Sequence, residues 1–111
     1  MVFRVFGALF FGAADKLEAS LQRMGELPEV LILRMRDVLT LAATGLDALE
    51  DLLEKLRKQH KDLILCGPHS QPLFALARGG FLEKIGEENV CGDMEASLTR
   101  ARQILLLKKT G

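Results

Sequence analysis

The chain has 111 residues, 49% hydrophobic and 27% charged, with fifteen basic side chains balanced by fifteen acidic ones. That length predicts one domain over residues 1–111, and the composition excludes a disordered chain. Zero net charge and six Phe with no Trp or Tyr exclude the electrostatic footprint and the stacking surface of a nucleic-acid binder, so no nucleic-acid partner is expected. Two cysteines, Cys66 and Cys91, without a CxxC spacing argue against a disulfide scaffold and fit a reducing, cytosol-facing location.

Residues 2–11, VFRVFGALFF, are rich in Phe and Val and predict one strand with a bulge at Gly7, or two short strands. The longest apolar stretch, residues 5–14, has ten residues, where a bilayer helix needs about 20. A soluble domain is expected. Residues 12–24 carry Ala14, Leu17, Leu21 and Met24 at helical spacing and predict an amphipathic helix. EVLILRM, residues 29–35, is a continuous apolar run and reads as a strand covered on both faces, as in a parallel sheet.

A second helix is predicted from Gly45-Leu46 onward. Leu46, Leu49, Leu53 and Leu56 form its apolar stripe, and Asp51–Lys55 and Glu54–Lys58 are acid-before-base pairs at i,i+4. DLILCG, residues 62–67, is another buried strand. SQPLFALARGG, residues 70–80, is a short helix with Pro72 in its first turn and Gly79-Gly80 as its stop. NVCG, residues 89–92, reads as a short last strand, and Asp93 caps a closing helix with Met94, Leu98, Ala101 and Leu105 on one side. The final LLLKKTG reads as a frayed end. Alternation of apolar strands with helices predicts an α/β domain with a largely parallel sheet.

No catalytic constellation is visible. His60 and His69 flank the strand at 62–66 and read as solvated turn residues, Cys66 as an inert core thiol, and Cys91 as similar but nearer the surface. Neither a dinucleotide fingerprint nor a P-loop is present. No cofactor or metal is expected, and the chain does not read as an enzyme. Thr44 is the residue with two readings. TGLD fits [ST]-x-x-[DE], so the Thr44 hydroxyl can cap the helix that follows. The same corner, a helix start after a parallel strand, is where anions and α/β ligands gather, and a phosphate on Thr44 would meet free N–H groups. The acids Asp47, Glu50, Asp51 and Glu54, with Glu87, Glu88 and Asp93 further on, read as a solvated face.

Three segments, FRVFGALFFGAADKLEASL, VLILRMRDVLTLAATGLDALEDL and GGFLEKIGEENVCGDMEASLTRA, resemble the STAS domain, and most closely the cytoplasmic C-terminal domain of SulP-family sulfate and anion transporters. The fold implied is a largely parallel or mixed sheet of four to five strands with about four helices. At the central loop the family usually has an acid, a small residue, Ser or Thr, then Gly. Here these places fall on Ala42, Ala43, Thr44 and Gly45, preceded by Leu41. The resemblance implies Thr44 and Gly45 as a phosphorylation or anion-contact point, with Leu41, Ala42 and Ala43 around it. Ala42 in place of the acid favours the capping role. The implied job is a non-catalytic regulatory and interaction domain at the cytoplasmic face of the cell membrane. Its partners would be the transmembrane domain of its own transporter, a sister subunit or a cytosolic regulatory protein, with an anion or nucleotide as a further ligand. The alternative is a stand-alone anti-sigma-factor antagonist switched at Thr44. Against it, Gly7-Ala8-Leu9-Phe10 stands where antagonists usually have a Gly-Glu-Leu-Asp turn.

Overall fold

The computed structural model describes residues 3–7, 27–41 and 43–110. Strand β1 is Phe3–Gly7, β2 is Val30–Arg34, β3 is Asp62–Cys66 and β4 is Val90–Cys91. Helix α1 is Ala43–Lys58, α2 is Ser70–Arg78, α3 is Phe81–Ile85 and α4 is Met94–Thr110, with a 3-10 turn at Glu87–Asn89 before β4. The strands lie in the order β1-β2-β3-β4, every pair parallel. The β-α alternation and the parallel sheet are therefore as the sequence predicts. The expected bulge or second strand after Gly7 and the expected helix over residues 12–24 lie outside the described residues.

Side chains alternate across the two buried strands with the period of two that extended chain imposes. Leu31, Leu33, Leu63 and Leu65 face one side, with α1, α2 and α3. Val30, Ile32, Ile64 and Cys66 face the other, with Ala101 and Ile104 of α4. When parallel strands advance steadily in one direction, right-handed crossovers place their helices on one face. The grouping of α1 to α3 agrees with that rule, and it leaves α4 to cover the reverse face. Both faces being covered explains why the two central strands read as unbroken apolar runs. At the rim, β4 has only two residues, which keeps that edge too short to template another chain.

Four details depart from the sequence reading. Helix α1 starts at Ala43, two residues before Gly45, because alanine propagates helix readily. Asp51–Lys55 and Glu54–Lys58 are not among the ion pairs of the described residues; Glu50 reaches across to Lys84 of α3 instead, at 2.9 Å. Helix α3 itself was not anticipated: Gly80 (φ 76°) and Gly86 (φ 92°) bracket it, and its Phe81 and Ile85 are buried one helical turn apart. Finally, the end of the chain does not fray at Leu105. Helix α4 runs to Thr110, held by Lys108, whose Nζ donates to the His60 carbonyl at 2.9 Å and to Glu29 Oε2 at 3.1 Å and lies 3.1 Å from Asp62 Oδ2.

Candidate functional site

The carboxyl ends of β2, β3 and β4 lie together in register, Arg34 beside Cys66 and Cys66 beside Cys91. This is the edge where ligands of parallel α/β sheets usually bind. From it, β2 runs through Arg36 and the buried Val38 and Leu41 into α1. The loop is pinned from α2: the Leu41 N–H donates to Gln71 Oε1 at 2.8 Å. One residue before α2, His69 Nε2 donates to the Arg36 carbonyl oxygen; since that oxygen only accepts, Nε2 carries the proton.

Thr44 lies at this strand-to-helix corner, exposed, as the second residue of α1. That position corrects its capping role. A cap precedes the first helical residue, and Thr44 lies inside the helix that begins at Ala43; Ala42 lies outside the described residues. Asp47 falls beyond the first turn, which holds no acid, so the box is not set by this pair. The N–H groups that open a helix have no partner within it, so the Thr44 hydroxyl is presented to solvent near the positive end of the helix dipole. Of the other expected residues, Ala43 is exposed, while Gly45 and Leu41 are buried. Leu41 serves the core among Val38 and Leu49.

A second feature on the same edge was missed. A cleft of about 220 Å³ is lined by Arg34, Arg36, Cys66, Gly67, Gly92, Asp93 and Met94. Gly67 turns the chain with φ 65°, and a Cβ there would stand 3.4 Å from the Gly92 carbonyl oxygen. Glycine is required by the backbone angle, and the two glycines leave the wall of the cleft without side chains. Asp93 faces its own helix, where Oδ1 accepts the Ala96 N–H at 2.8 Å, the cap predicted from sequence. The available signal was two arginines spaced i,i+2 at the end of an apolar strand, each later strand being followed by a glycine.

Cys66 is buried. Burial pushes the Cys91 thiol up, with partial opposition from a hydrogen bond to Ser97, so the nucleophilic thiolate is disfavoured. His60 is exposed in a turn, as expected; His69 is also exposed but lies in extended chain just before α2 rather than in a turn, with its ring bonded to the Arg36 carbonyl. Among the described residues no three His, Cys, Asp or Glu gather as metal ligands, and no helix is long and apolar enough to cross a membrane.

Comparison with known proteins places these features in a family. The family model of the STAS domain matches residues 1–100. YvdB of Bacillus subtilis (strain 168), which carries the name of a proposed sulfate transporter, is 30% identical over 89 residues; the match takes in 79% of this chain and 17% of that protein. The chain thus spans about a sixth of that relative's length. A crystal structure of a sulfate transporter family protein from Wolinella succinogenes is 35% identical, with a TM-score of 0.84 over 95% of this chain and 88% of that one. The STAS domain of a SulP transporter from Vibrio cholerae is 28% identical, with a TM-score of 0.78 over 96% and 85%. An α/β chain with a parallel four-stranded sheet, matched over nearly its whole length in this way, belongs to the STAS domain family, and its relatives are STAS domains of SulP sulfate transporters.

Proposed function

We propose that this domain is the non-catalytic regulatory and protein-contacting part of a SulP-type sulfate or related anion transporter, working at the cytoplasmic face of the membrane. The observation that carries this reading is the pairing of two matches. The domain aligns over nearly all of the Wolinella succinogenes structure, yet over only 17% of YvdB, as a module within a larger transporter would. Its contacts would be the transmembrane domain, a sister subunit or a cytosolic regulator. Thr44 and Gly45 would form the regulated corner, with Ala43 beside the hydroxyl and Leu41 and Ala42 leading into it. A phosphate placed on Thr44 would lie at the positive end of α1.

The test is sulfate uptake by the transporter that carries the domain. Deleting the domain should lower uptake several-fold, and Thr44→Glu should change uptake while Thr44→Ala alters the domain's stability by no more than about 0.5 kcal/mol, as for an exposed side chain. Unchanged uptake on deletion would refute the reading, as would a coding sequence with no polytopic membrane region attached to the domain. A second reading, a stand-alone antagonist switched at Thr44, is favoured only by the exposure of that hydroxyl. It predicts a mass gain of one phosphate at Thr44 on incubation with a cognate kinase and ATP.

A further inference from the structure

The cleft at the carboxyl edge of the sheet is lined by two arginines, Arg34 and Arg36. Neither Arg34 nor Arg36 has a hydrogen-bond or ion-pair partner for its side chain among the described residues. Elsewhere Lys108 pairs with Glu29 and Asp62, Lys84 pairs with Glu50, and Arg100 bonds Asn89. Arg34 is only half exposed, and a guanidinium carries five donors in a planar fork that matches the oxygens of a tetrahedral anion two at a time. The one acid in the wall, Asp93, is turned to the start of α4. The remaining wall is two glycines, a buried thiol and Met94, so backbone can come close to a ligand and no second negative charge opposes it.

Size narrows the ligand. Pockets for whole small molecules run to about 300–1,000 Å³, and this one has about 220 Å³. A single oxyanion group fits; the base and sugar of a nucleotide would have to remain outside. We infer that the Arg34–Arg36 cleft, with Gly67 and Gly92 as its floor, is a binding site for one tetrahedral oxyanion of the sulfate or phosphate class. The site is separate from the Thr44 corner, and the inference does not depend on the transporter reading, because it concerns this chain alone.

The experiment follows the amide resonances of Gly67 and Gly92 in the 111-residue chain during titration with inorganic phosphate, sodium sulfate or AMP. Sodium chloride at matched ionic strength is the control, since guanidinium–anion contacts are screened by salt. Phosphate and sulfate should give saturable shifts at both glycines that chloride does not give. Arg34→Gln and Arg36→Gln should each weaken binding by about tenfold or more, the scale of one lost charge-assisted hydrogen bond. Arg34→Lys, which keeps the charge without the fork, should fall between, and with Arg36→Gln it carries the test if Arg34→Gln does not fold. AMP no tighter than phosphate marks a free anion; AMP tighter, with the same dependence on both arginines, marks the phosphate of an ester, and either supports the site. No saturable shift from any of the three, an equal shift from chloride, or binding unchanged in both glutamine variants overturns it.

Discussion

Replacing Lys108 with methionine isolates what holds the last turns of α4. The ammonium stands within 3.3 Å of four oxygens: two carbonyls, of Glu29 and His60, and two carboxylates, of Glu29 and Asp62. A hydrogen bond to a charged group is worth about 1.5–3 kcal/mol when well shielded. Here the lysine side chain is 29% exposed and the carboxylates 46% and 37%, so each ion pair falls toward the roughly 0.2–1 kcal/mol of exposed pairs. Two discounted pairs and the carbonyl contacts together amount to about 1–2 kcal/mol. Methionine keeps most of the apolar stem, so little packing is lost. For a domain of this size 1 kcal/mol moves the melting temperature by roughly 3–6 °C, and circular dichroism melts of parent and variant should differ by about that per kcal/mol. A Lys108→Met melting temperature within about 1 °C of the parent would show that the clasp is ornamental and that α4 reaches Thr110 for another reason.

Phe81→Ala should cost about 3–5 kcal/mol, the price of truncating a fully buried aromatic, and urea denaturation reads it as a lower midpoint at unchanged slope. Asp93→Ala, which removes the acceptor for the Ala96 N–H, should cost about 0.5–2 kcal/mol in the same assay. Hydrogen bonding and charge from Lys108 hold the Glu29 carboxyl below its ordinary value near 4.5. A lowered folded-state pKa gives stability that is complete above the unfolded value and disappears as pH falls through the folded one. Acid titration should therefore show a loss beginning below about pH 4.5 that is shallower in Glu29→Gln; an identical acid limb would count against the pair. Lys108 works in the opposite sense. Burial disfavours its charge, but Glu29 and Asp62 outweigh that and raise its pKa, so its contribution is full at neutral pH and fades only in strong alkali.

The elements that read clearly from sequence are those whose pattern is local. EVLILRM and DLILC announce buried strands because both faces are covered, and Asp93 announces a helix start because its cap is made three residues away. What stayed hidden depends on distant partners. Five-residue α3 has no room for a periodic stripe; only the packing of Phe81 and Ile85 makes it visible. The last turn of α4 looked frayed because the oxygens that hold Lys108 lie 46 to 79 residues earlier in the chain. Thr44 was placed at the right corner, but two helical positions too early. The anion-like cleft needs three strands in register before its arginines and glycines meet, and no window of sequence contains them all.

The uneven coverage of the sheet has a consequence for biosynthesis. Three helices guard the Leu31 side, while the Val30, Ile32 and Ile64 side relies, among the described elements, on α4, the last of them to leave the ribosome. Until α4 arrives, an emerging chain can pair its strands while that side lacks the cover α4 supplies, the kind of apolar surface that chaperones seize and that aggregates nucleate on. Truncations within α4 should therefore show themselves first as poor yield and inclusion bodies, before any measurable loss of binding.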